Sequence, residues 1–251
     1  MAFRKFLSSL GINAPSVETV VENPVVQPGS TLICTVTVRG GGADVEVERL
    51  LLDLVVRAED REPDGSSGWN NPYAVGKAEL GAFRLAAGET VTHRLAVEVP
   101  WEMPLTHAQG RHIKGGRAAV RTELSIDNAV DRGDFDEIQV HALPAQDTLF
   151  QAFTDLGFRL HEAEVKIGLL SRAPRMEDRQ TVPYWQETDF FFPESYGRGS
   201  RYELEAVFIA REDSVDVHPG GHPPATFAYA DMDLAKWTAA LDAHVRHHWT
   251  R

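Results

Sequence analysis

An alternation of apolar and polar residues near the start of this sequence predicts a series of antiparallel β-strands. From Val20 to Arg57 the chain reads as strand, turn, strand, glycine reversal and long strand, with valine and threonine at positions that suit a pleated surface. Residues 27–30 predict a tight turn, because Pro28 presets φ and Gly29 supplies a positive φ. Over residues 31–38 one face consists of Leu32, Cys34, Val36 and Val38. This pattern is typical of the opening strands of a β-sandwich.

The same alternation predicts the strands that follow, with one irregularity. In residues 45–57 the apolar phase changes between Val47 and Leu50, which predicts either a bulge or a strand buried on both faces. Pro100 to Thr106 predicts a stiff corner, since prolines bound it. Further strands are predicted over residues 91–99, 117–126 and 138–142.

Residues 58–73 are polar and carry proline and glycine, so they predict an exposed loop. Trp69 and Tyr73 are the large apolar side chains of this loop. Two roles fit these rings: they anchor the loop to the body of the protein, or they form a binding patch. Both residues are therefore candidates for an interaction site.

In the second half of the chain a short helix precedes more strands. The acidic segment from Asp127 to Glu137 is predicted to be irregular and to lead from one lobe to the next. After it, Asp147 is the predicted N-cap and Gly157 the stop of a helix whose apolar stripe is Leu149, Phe150, Phe153 and Leu156. Strands are then predicted over residues 158–167 (with a change of phase near Glu162), 186–192, 201–210 and 215–217. Because this succession of strands and turns repeats that of the first half, two stacked β-sandwiches are expected.

Apolar residues at helical spacing predict a helix at each end of the chain. Over residues 3–11, Gly11 is the stop, and one face carries Phe3, Phe6, Leu7 and Leu10. This helix either packs on the sandwich or contacts a membrane or a partner, and it is too short for firm membrane binding alone. Over residues 231–249, capped by Asp231 or Asp233, the stripe is Leu234, Trp237, Leu241 and Val245. That stripe buries against a lobe or against a partner.

These elements divide the chain into successive segments. They are an N-terminal amphipathic helix (1–12), an N-terminal β-sandwich lobe (13–130), a crossing segment (131–143), a C-terminal β-sandwich lobe (144–218), a linker (219–230) and a C-terminal helix (231–251). A chain of 251 residues is long enough for two such lobes.

Charge and cysteine content narrow the classes of function. The net charge of −12 argues against a nucleic-acid partner, because phosphate binding needs a basic surface. Cys34 is the single cysteine, so it forms no internal disulfide, and its place in a strand predicts a small buried apolar residue. No apolar run approaches the roughly 18 residues of a membrane span, and the N-terminus lacks the features of a secretory signal. A cytoplasmic protein is expected.

Two groups of side chains raise the question of a metal site. Asp131, Asp134 and Asp136 offer clustered carboxylates of the kind calcium prefers, but their spacing does not fit a helix–loop–helix calcium site. His244 and His248 lie one helical turn apart, where two imidazoles can share a metal, yet no acidic general base sits between them. The alternative readings are a solvated linker and a surface histidine cluster, and no cofactor is predicted.

Signatures of common enzymes are missing from the sequence. No glycine-rich phosphate loop follows a predicted strand, and there is no nucleophile elbow. The sequence therefore does not predict an enzyme.

Several segments, taken in order, resemble the bacterial sporulation-control family named for stage-zero sporulation protein M, a relative of arrestins. Residues 3–42 resemble the family's opening helix, strand, proline-glycine turn and glycine reversal. Other segments that resemble the family are VEVERLLLDLVVR, VPWEMPLT, TELSIDNAVDRGDFDEIQVHALP, LGFRL and RYELEAVFIA. The resemblance runs from Phe3 to about Val217. Departures are Asn13, the long 58–73 loop and the histidine-bearing C-terminal helix.

The resemblance implies an all-β fold of two tandem arrestin-like antiparallel β-sandwich lobes, with a short N-terminal helix, one short helix opening the second lobe and a C-terminal amphipathic helix. It also implies a cytoplasmic regulatory or scaffold protein that binds other proteins, has no enzymatic activity and is linked to developmental control in spore formers. Two alternatives stay open. One is a metal-binding sensor or enzyme that uses the acidic segment or the C-terminal histidines, and the other is a peripheral membrane adaptor that acts through the N-terminal helix.

Overall fold

The computed structural model describes residues 14–59, 72–126, 129–170, 180–197 and 202–249, and gives the backbone alone for residues 129–134. Its first half contains β1 (Ser16–Val21), β2 (Val25–Val26), β3 (Thr31–Arg39), β4 (Val45–Arg57), β5 (Pro72–Leu80), β6 (Phe83–Leu85), β7 (Thr90–Glu98), β8 (His107–Ala108), β9 (Arg111–His112), β10 (Ala118–Ile126) and β11 (Ala129–Val140). Its second half contains α1 (Pro144–Asp155), β12 (Arg159–Ile167), β13 (Tyr184–Phe191), β14 (Glu203–Ala210), β15 (Ser214–Pro219), β16 (Ala225–Ala228) and α2 (Leu234–Trp249). The mostly β class is confirmed.

The first lobe is built from two sheets that face each other. One sheet has the order β1-β3-β7, and the other has the order β2-β11-β10-β4-β5 with β6 paired to β4. The β3 face between the sheets is fully buried and comprises Leu32, Cys34, Val36 and Val38. Burial raises the pKa of the Cys34 thiol to about 11, which confirms the prediction of a cysteine in the apolar core.

The long strand β4 shows both features that its change of apolar phase predicts. Opposite β10 its register shifts between Arg49 and Val47, as at a β-bulge. Beyond the shift, every residue from Leu50 to Val56 is buried, including Asp53, whose carboxylate forms an ion pair with Arg121. A buried run of this kind needs cover on both faces of the sheet.

Two loop predictions for the first lobe need correction. Tyr73 is not in an exposed loop but in β5, where it pairs with Val56; Trp69 lies outside the described residues. The segment predicted to be an irregular crossing is strand β11, which pairs with β10 along its length. A register shift opposite Arg121 and Glu123 breaks the alternation of that strand, so the sequence pattern did not show it. The chain therefore passes to the second lobe only at residues 141–143.

The second lobe is one five-stranded antiparallel sheet, β12-β13-β14-β15-β16, with α1 and α2 packed against it. The sequence predicts a β-sandwich here, but the two helices stand where its second sheet would be. Phe153 of α1 stacks on Phe190 of β13 at 4.4 Å between ring centroids, and Trp237 of α2 packs on Phe227 of β16 at 5.2 Å. The α1 stripe and the α2 stripe therefore form one apolar layer with the sheet.

Local signals at the helix ends were partly right. Gly157 follows α1 with a φ of 89°, which confirms it as the stop, and β12 changes register between Leu160 and Glu162 as predicted. Asp147 is not the N-cap of α1, because Leu143 holds that position, and its amide donates to Gln146 Oε1 at 2.9 Å. For α2, Asp233 caps the start, since its carboxylate accepts the Lys236 amide at 2.9 Å. The predicted linker over residues 219–230 is wrong, because it contains β16.

Neither of the two helices in the described part of the chain is long and apolar enough to cross a membrane.

Candidate interaction site at the lobe junction

Most of the predicted interaction residues do not lie on the described surface. Trp237 and Leu241 are buried in the second lobe together with Val245, so these three residues of the α2 stripe pack on their own lobe, whereas Leu234 at the start of the helix is exposed. Tyr73 is half-buried and packs edge-to-face on Tyr184 of the second lobe, at 5.9 Å between ring centroids. Trp69 lies outside the described residues, as do Phe3, Phe6, Leu7 and Leu10. The membrane and partner roles of the N-terminal segment stay predictions.

The structure gives the two proposed metal sites no support. Asp131, Asp134 and Asp136 belong to a paired strand rather than to a calcium-binding loop. The rings of His244 and His248 do lie side by side, 4.8 Å apart, but the Nε2 atom of His244 is 2.8 Å from the carbonyl oxygen of Pro223. Among the side chains that the structure describes, which do not include those of Asp131 and Asp134, no group of three histidine, cysteine, aspartate or glutamate residues could hold a metal ion.

The junction between the lobes gathers polar groups that the sequence did not point to. After the proline-bounded corner, the side-chain amide of Gln186 in β13 forms two hydrogen bonds with the backbone of Leu105. We call this pair of hydrogen bonds the amide clamp. The Leu105 amide donates to Gln186 Oε1 at 2.8 Å, and Gln186 Nε2 donates to the Leu105 carbonyl at 2.9 Å. Nearby, Glu102 Oε1 accepts both the amide and the hydroxyl of Thr181, at 2.6 and 2.5 Å. These hydrogen bonds fix the corner of the first lobe to the sheet of the second.

We call residues 105–116, which include β8 and β9, the junction hairpin. Its return strand approaches β12 so closely that Ala163 donates its amide to the Lys114 carbonyl at 2.8 Å. Gly115 makes this approach possible, because its φ is 89° and a Cβ atom there would lie 2.2 Å from the Ala163 carbonyl oxygen. A salt bridge of 2.7 Å between Lys114 and Glu162 accompanies the contact.

A small polar cavity of about 10 Å³ lies beneath the corner, which is room for about one water molecule. Glu102 and Tyr184 both line it, and in each a buried oxygen has no hydrogen-bond partner. Burial raises the pKa of Glu102, although the two hydrogen bonds from Thr181 act against this, and burial also raises the pKa of Tyr184. The junction therefore buries a carboxyl group whose pKa lies above its ordinary value.

The tip of the junction hairpin is a two-residue turn, Gln109-Gly110, with φ values of 51° and 69°. Two successive positive φ values give the turn that suits the twist of a tight hairpin. A positive φ is strained for Gln109, which is not a glycine, and hydrogen bonds to α1 offset the free-energy cost of this strain. The Gln109 amide donates to the Asp147 carboxylate at 2.6 Å, and Gln109 Nε2 donates to Gln151 Oε1 at 2.9 Å.

Beside this tip lies an open cleft of about 590 Å³, which we call the junction cleft. Its walls come from the hairpin, from α1 and from the start of α2, and its lining residues are Gln109, Arg111, Asp147, Thr148, Gln151, Thr154 and Leu234. Burial raises the pKa of Asp147, while the Gln109 amide and His141 act in the opposite direction. The cleft thus offers amide groups, one guanidinium, one carboxylate and an exposed leucine.

Sequence reasoning missed this site because its members come from separate elements. Nothing in the sequence showed that the turn at Gln109-Gly110 would rest on α1. Asp147 was noticed as a cap, and its actual partner is 38 residues away. The clamp between Leu105 and Gln186 spans 81 residues.

Comparisons with known proteins identify the family to which this chain is similar. The sequence model of the SpoOM protein family matches residues 3–218. The sporulation-control protein spo0M of Bacillus subtilis (strain 168) is 29% identical to this chain over 218 residues, which are 86% of this chain and 78% of that protein. The crystal structure of Spo0M, a sporulation control protein from Bacillus subtilis, matches with a TM-score of 0.74 at 24% identity, and the match covers 94% of this chain and 99% of that one. The mostly β fold is therefore shared, and the resemblance to this family found in the sequence is confirmed.

Proposed function

Because this chain belongs to the SpoOM protein family, we propose that it is a non-enzymatic regulatory protein of the sporulation-control type. It works in the cytoplasm as a scaffold that binds protein partners. Family membership supports the regulatory role, and the junction cleft is the observation that supports the binding role.

The cleft suits the binding of a protein segment. Its volume of about 590 Å³ falls within the range of sites that hold ligands, and its walls belong to both lobes. Exposed side-chain amides and a guanidinium beside one half-exposed leucine provide hydrogen bonds around an apolar contact, as interfaces with peptides do. An occupant of the cleft therefore touches both lobes at once.

The chemistry of the cleft lining supports a role without catalysis. Its residues include no imidazole and no thiol, and its two hydroxyl groups donate to the backbone of α1. Thr148 donates to the Pro144 carbonyl and Thr154 to the Phe150 carbonyl, both at 2.9 Å. A hydroxyl that donates its proton to a backbone carbonyl is not activated by a neighbouring base, as a nucleophile must be.

Affinity capture with the full chain tests the proposal. The bait is compared with two variants, Leu234→Arg in the cleft and Leu160→Arg outside it, which change leucines of nearly equal exposure, 39% and 40%. A partner from the lysate of the source bacterium should bind saturably to the wild type and to Leu160→Arg. Its affinity for Leu234→Arg should fall by about tenfold or more, because a buried apolar anchor of an interface is lost.

Two outcomes would count against the proposal. One is that no protein binds saturably to the wild-type chain. The other is that both leucine variants bind a captured partner as tightly as the wild type does, which would move the binding surface away from the cleft.

A further inference from the structure

Three histidines lie side by side at the base of the junction hairpin. His107 of β8 pairs in register with His112 of β9, and an isolated parallel bridge joins it to His141. The His107 ring is stacked on the His141 ring at 4.7 Å with an interplanar angle of 9°, and it lies 5.3 Å from the His112 ring. We call His112, His107 and His141 the histidine row.

This spacing suits neutral rings and disfavours charged ones. Imidazolium groups about 5 Å apart repel each other, so a proton on one ring opposes a proton on the next. His107 feels this most, because it has a ring on each side and is half-buried. Burial lowers its pKa, and the nearby His141 and His112 lower it further. Its Nδ1 atom also lies 2.8 Å from the hydroxyl of Thr106.

Charged groups of both signs lie near the row. From α1 the neighbouring acid is Asp147, which interacts with His141 and whose pKa burial raises. From the hairpin, Arg111 adds a further positive charge beside Asp147 in the cleft.

The strands that carry the row also hold the hairpin in place. Ala142 donates its amide to the His107 carbonyl, and Thr106 donates to the Val140 carbonyl, both at 2.9 Å. On its other side the hairpin reaches α1 through Gln109 and Asp147. A displacement of His107 from His141 would thus move one wall of the junction cleft.

We propose that the histidine row is a pH-sensitive latch, closed when its imidazoles are neutral and loosened when they take up protons, so that acidification frees the junction hairpin and reshapes the cleft. The close packing of the three histidine rings supports the latch. Its effect on partner binding rests on the function proposed above.

The direction of the pH dependence follows from the lowered pKa of His107. The stabilisation by the neutral row is fully present above the ordinary histidine pKa of 6.5 and is lost as the pH falls toward the folded value. Asp189 in the second lobe acts in the opposite sense, because burial and the surrounding glutamates raise its pKa to about 7. Its contribution to stability grows as the pH falls from about 7 toward 3.8. A global melting temperature mixes the two effects, so the latch needs a local measurement.

Amide hydrogen exchange on the full chain at pH 7.5 and pH 5.5, expressed as protection factors, provides this measurement. The amides of Gln109 and Ala142 should lose protection at the lower pH, by about tenfold for each unit by which the histidine pKa is displaced. The amide of Phe158, which donates to the Phe153 carbonyl in the second lobe, should keep its protection.

Histidine variants separate the row from other titrating groups. In the double variant His112→Gln/His141→Gln the loss of protection should disappear, and the pKa of His107 from an imidazole NMR titration should rise toward 6.5. The matched control is His161→Gln, because that ring contacts Glu162 and Phe191 in the second lobe. It should leave the loss of protection unchanged.

The latch is overturned if His107 in the wild type titrates at or above 6.5, or if the double variant loses protection at pH 5.5 as the wild type does. Failure to capture a partner at pH 7.5 counts against the proposed function and leaves the latch intact. Equal protection at both pH values, together with normal capture at pH 7.5, counts against the latch alone.

Discussion

The core of the second lobe and the junction between the lobes both join elements that are distant in sequence, but they do so by different forces. In the core, rings stack in a dry layer, with Phe153 on Phe190 at 4.4 Å and Phe150 on Phe208 at 4.9 Å. At the junction, hydrogen bonds to single backbone groups, such as the clamp between Gln186 and Leu105, accompany apolar contacts such as that of Tyr73 with Tyr184. Burial of apolar area is non-directional and large, whereas each hydrogen bond contributes a small net amount and demands one geometry.

This difference assigns separate tasks to the two regions. The core sets how stable the second lobe is. The junction sets how the lobes sit against each other, and its contacts can be exchanged at a modest cost in free energy. The junction cleft and the histidine row both lie at the junction, where a few directional hydrogen bonds help to set the arrangement of the lobes.

The largest expected effect comes from a change in the core. Phe153→Ala should lower the free energy of unfolding by about 3–5 kcal/mol, because the fully buried ring leaves a cavity between three aromatic neighbours. Urea denaturation measures the loss. The control is Phe191→Ala, on the other face of β13, where the ring is half-buried and faces the Arg159 guanidinium. Equal losses in both variants would show that the aromatic layer is not the core.

The second prediction compares a glycine at the close contact between the lobes, Gly115, with a glycine in an open turn, Gly110. Gly115→Ala should cost about 2–3 kcal/mol, since a positive φ is combined with a clash against the Ala163 carbonyl. Gly110→Ala should cost only about 1 kcal/mol, because its φ is similar but no atom lies near its Cβ position. Hydrogen exchange at the Ala163 amide should rise in Gly115→Ala alone. The same cost for both glycines would contradict the close contact.

A third change tests the amide clamp. Gln186→Ala should lower the free energy of unfolding by about 1–3 kcal/mol, because the amide and carbonyl of Leu105 lose their partner inside the junction. Gln151→Ala, which removes two exposed hydrogen bonds, one with Gln109 and one with Asp155, should cost less than about 0.5 kcal/mol. Both values come from urea denaturation. A neutral Gln186→Ala variant would indicate that the corner is held by packing instead.

The smallest effect concerns the buried acid of the junction. The folded pKa of Glu102 is raised above its ordinary value of 4.5, so its contribution to stability is fully present below pH 4.5 and is lost as the pH rises through the folded value. Gln in this place keeps an acceptor for Thr181 and carries no charge. Glu102→Gln should therefore match the wild type near pH 4 and exceed it by up to about 1 kcal/mol at pH 8. Thermal unfolding at both pH values checks the sign, and a variant that loses stability at pH 8 relative to the wild type would refute it.

Local sequence signals predicted much of the core and little of the junction. The apolar stripe of β3, the stop at Gly157 and the buried face of α2 follow from periods of two and 3.6 residues, which the sequence displays directly. Strand β11 was missed up to residue 137, because acidic residues and a register shift hide its alternation, and only its end was predicted as a strand. The junction was missed because its partners, such as Gln109 and Asp147, are ordinary polar residues until the fold brings them together.

A hydrogen-exchange footprint of the captured complex tests most directly whether partners bind at the junction cleft. The complex and the free chain are compared at pH 7.5. We expect added protection at the amides of Arg111, Thr148 and Gln151, on both the hairpin and α1 sides of the cleft. A footprint on the outer face of the β1-β3-β7 sheet, with exchange at these three amides unchanged, would contradict the account.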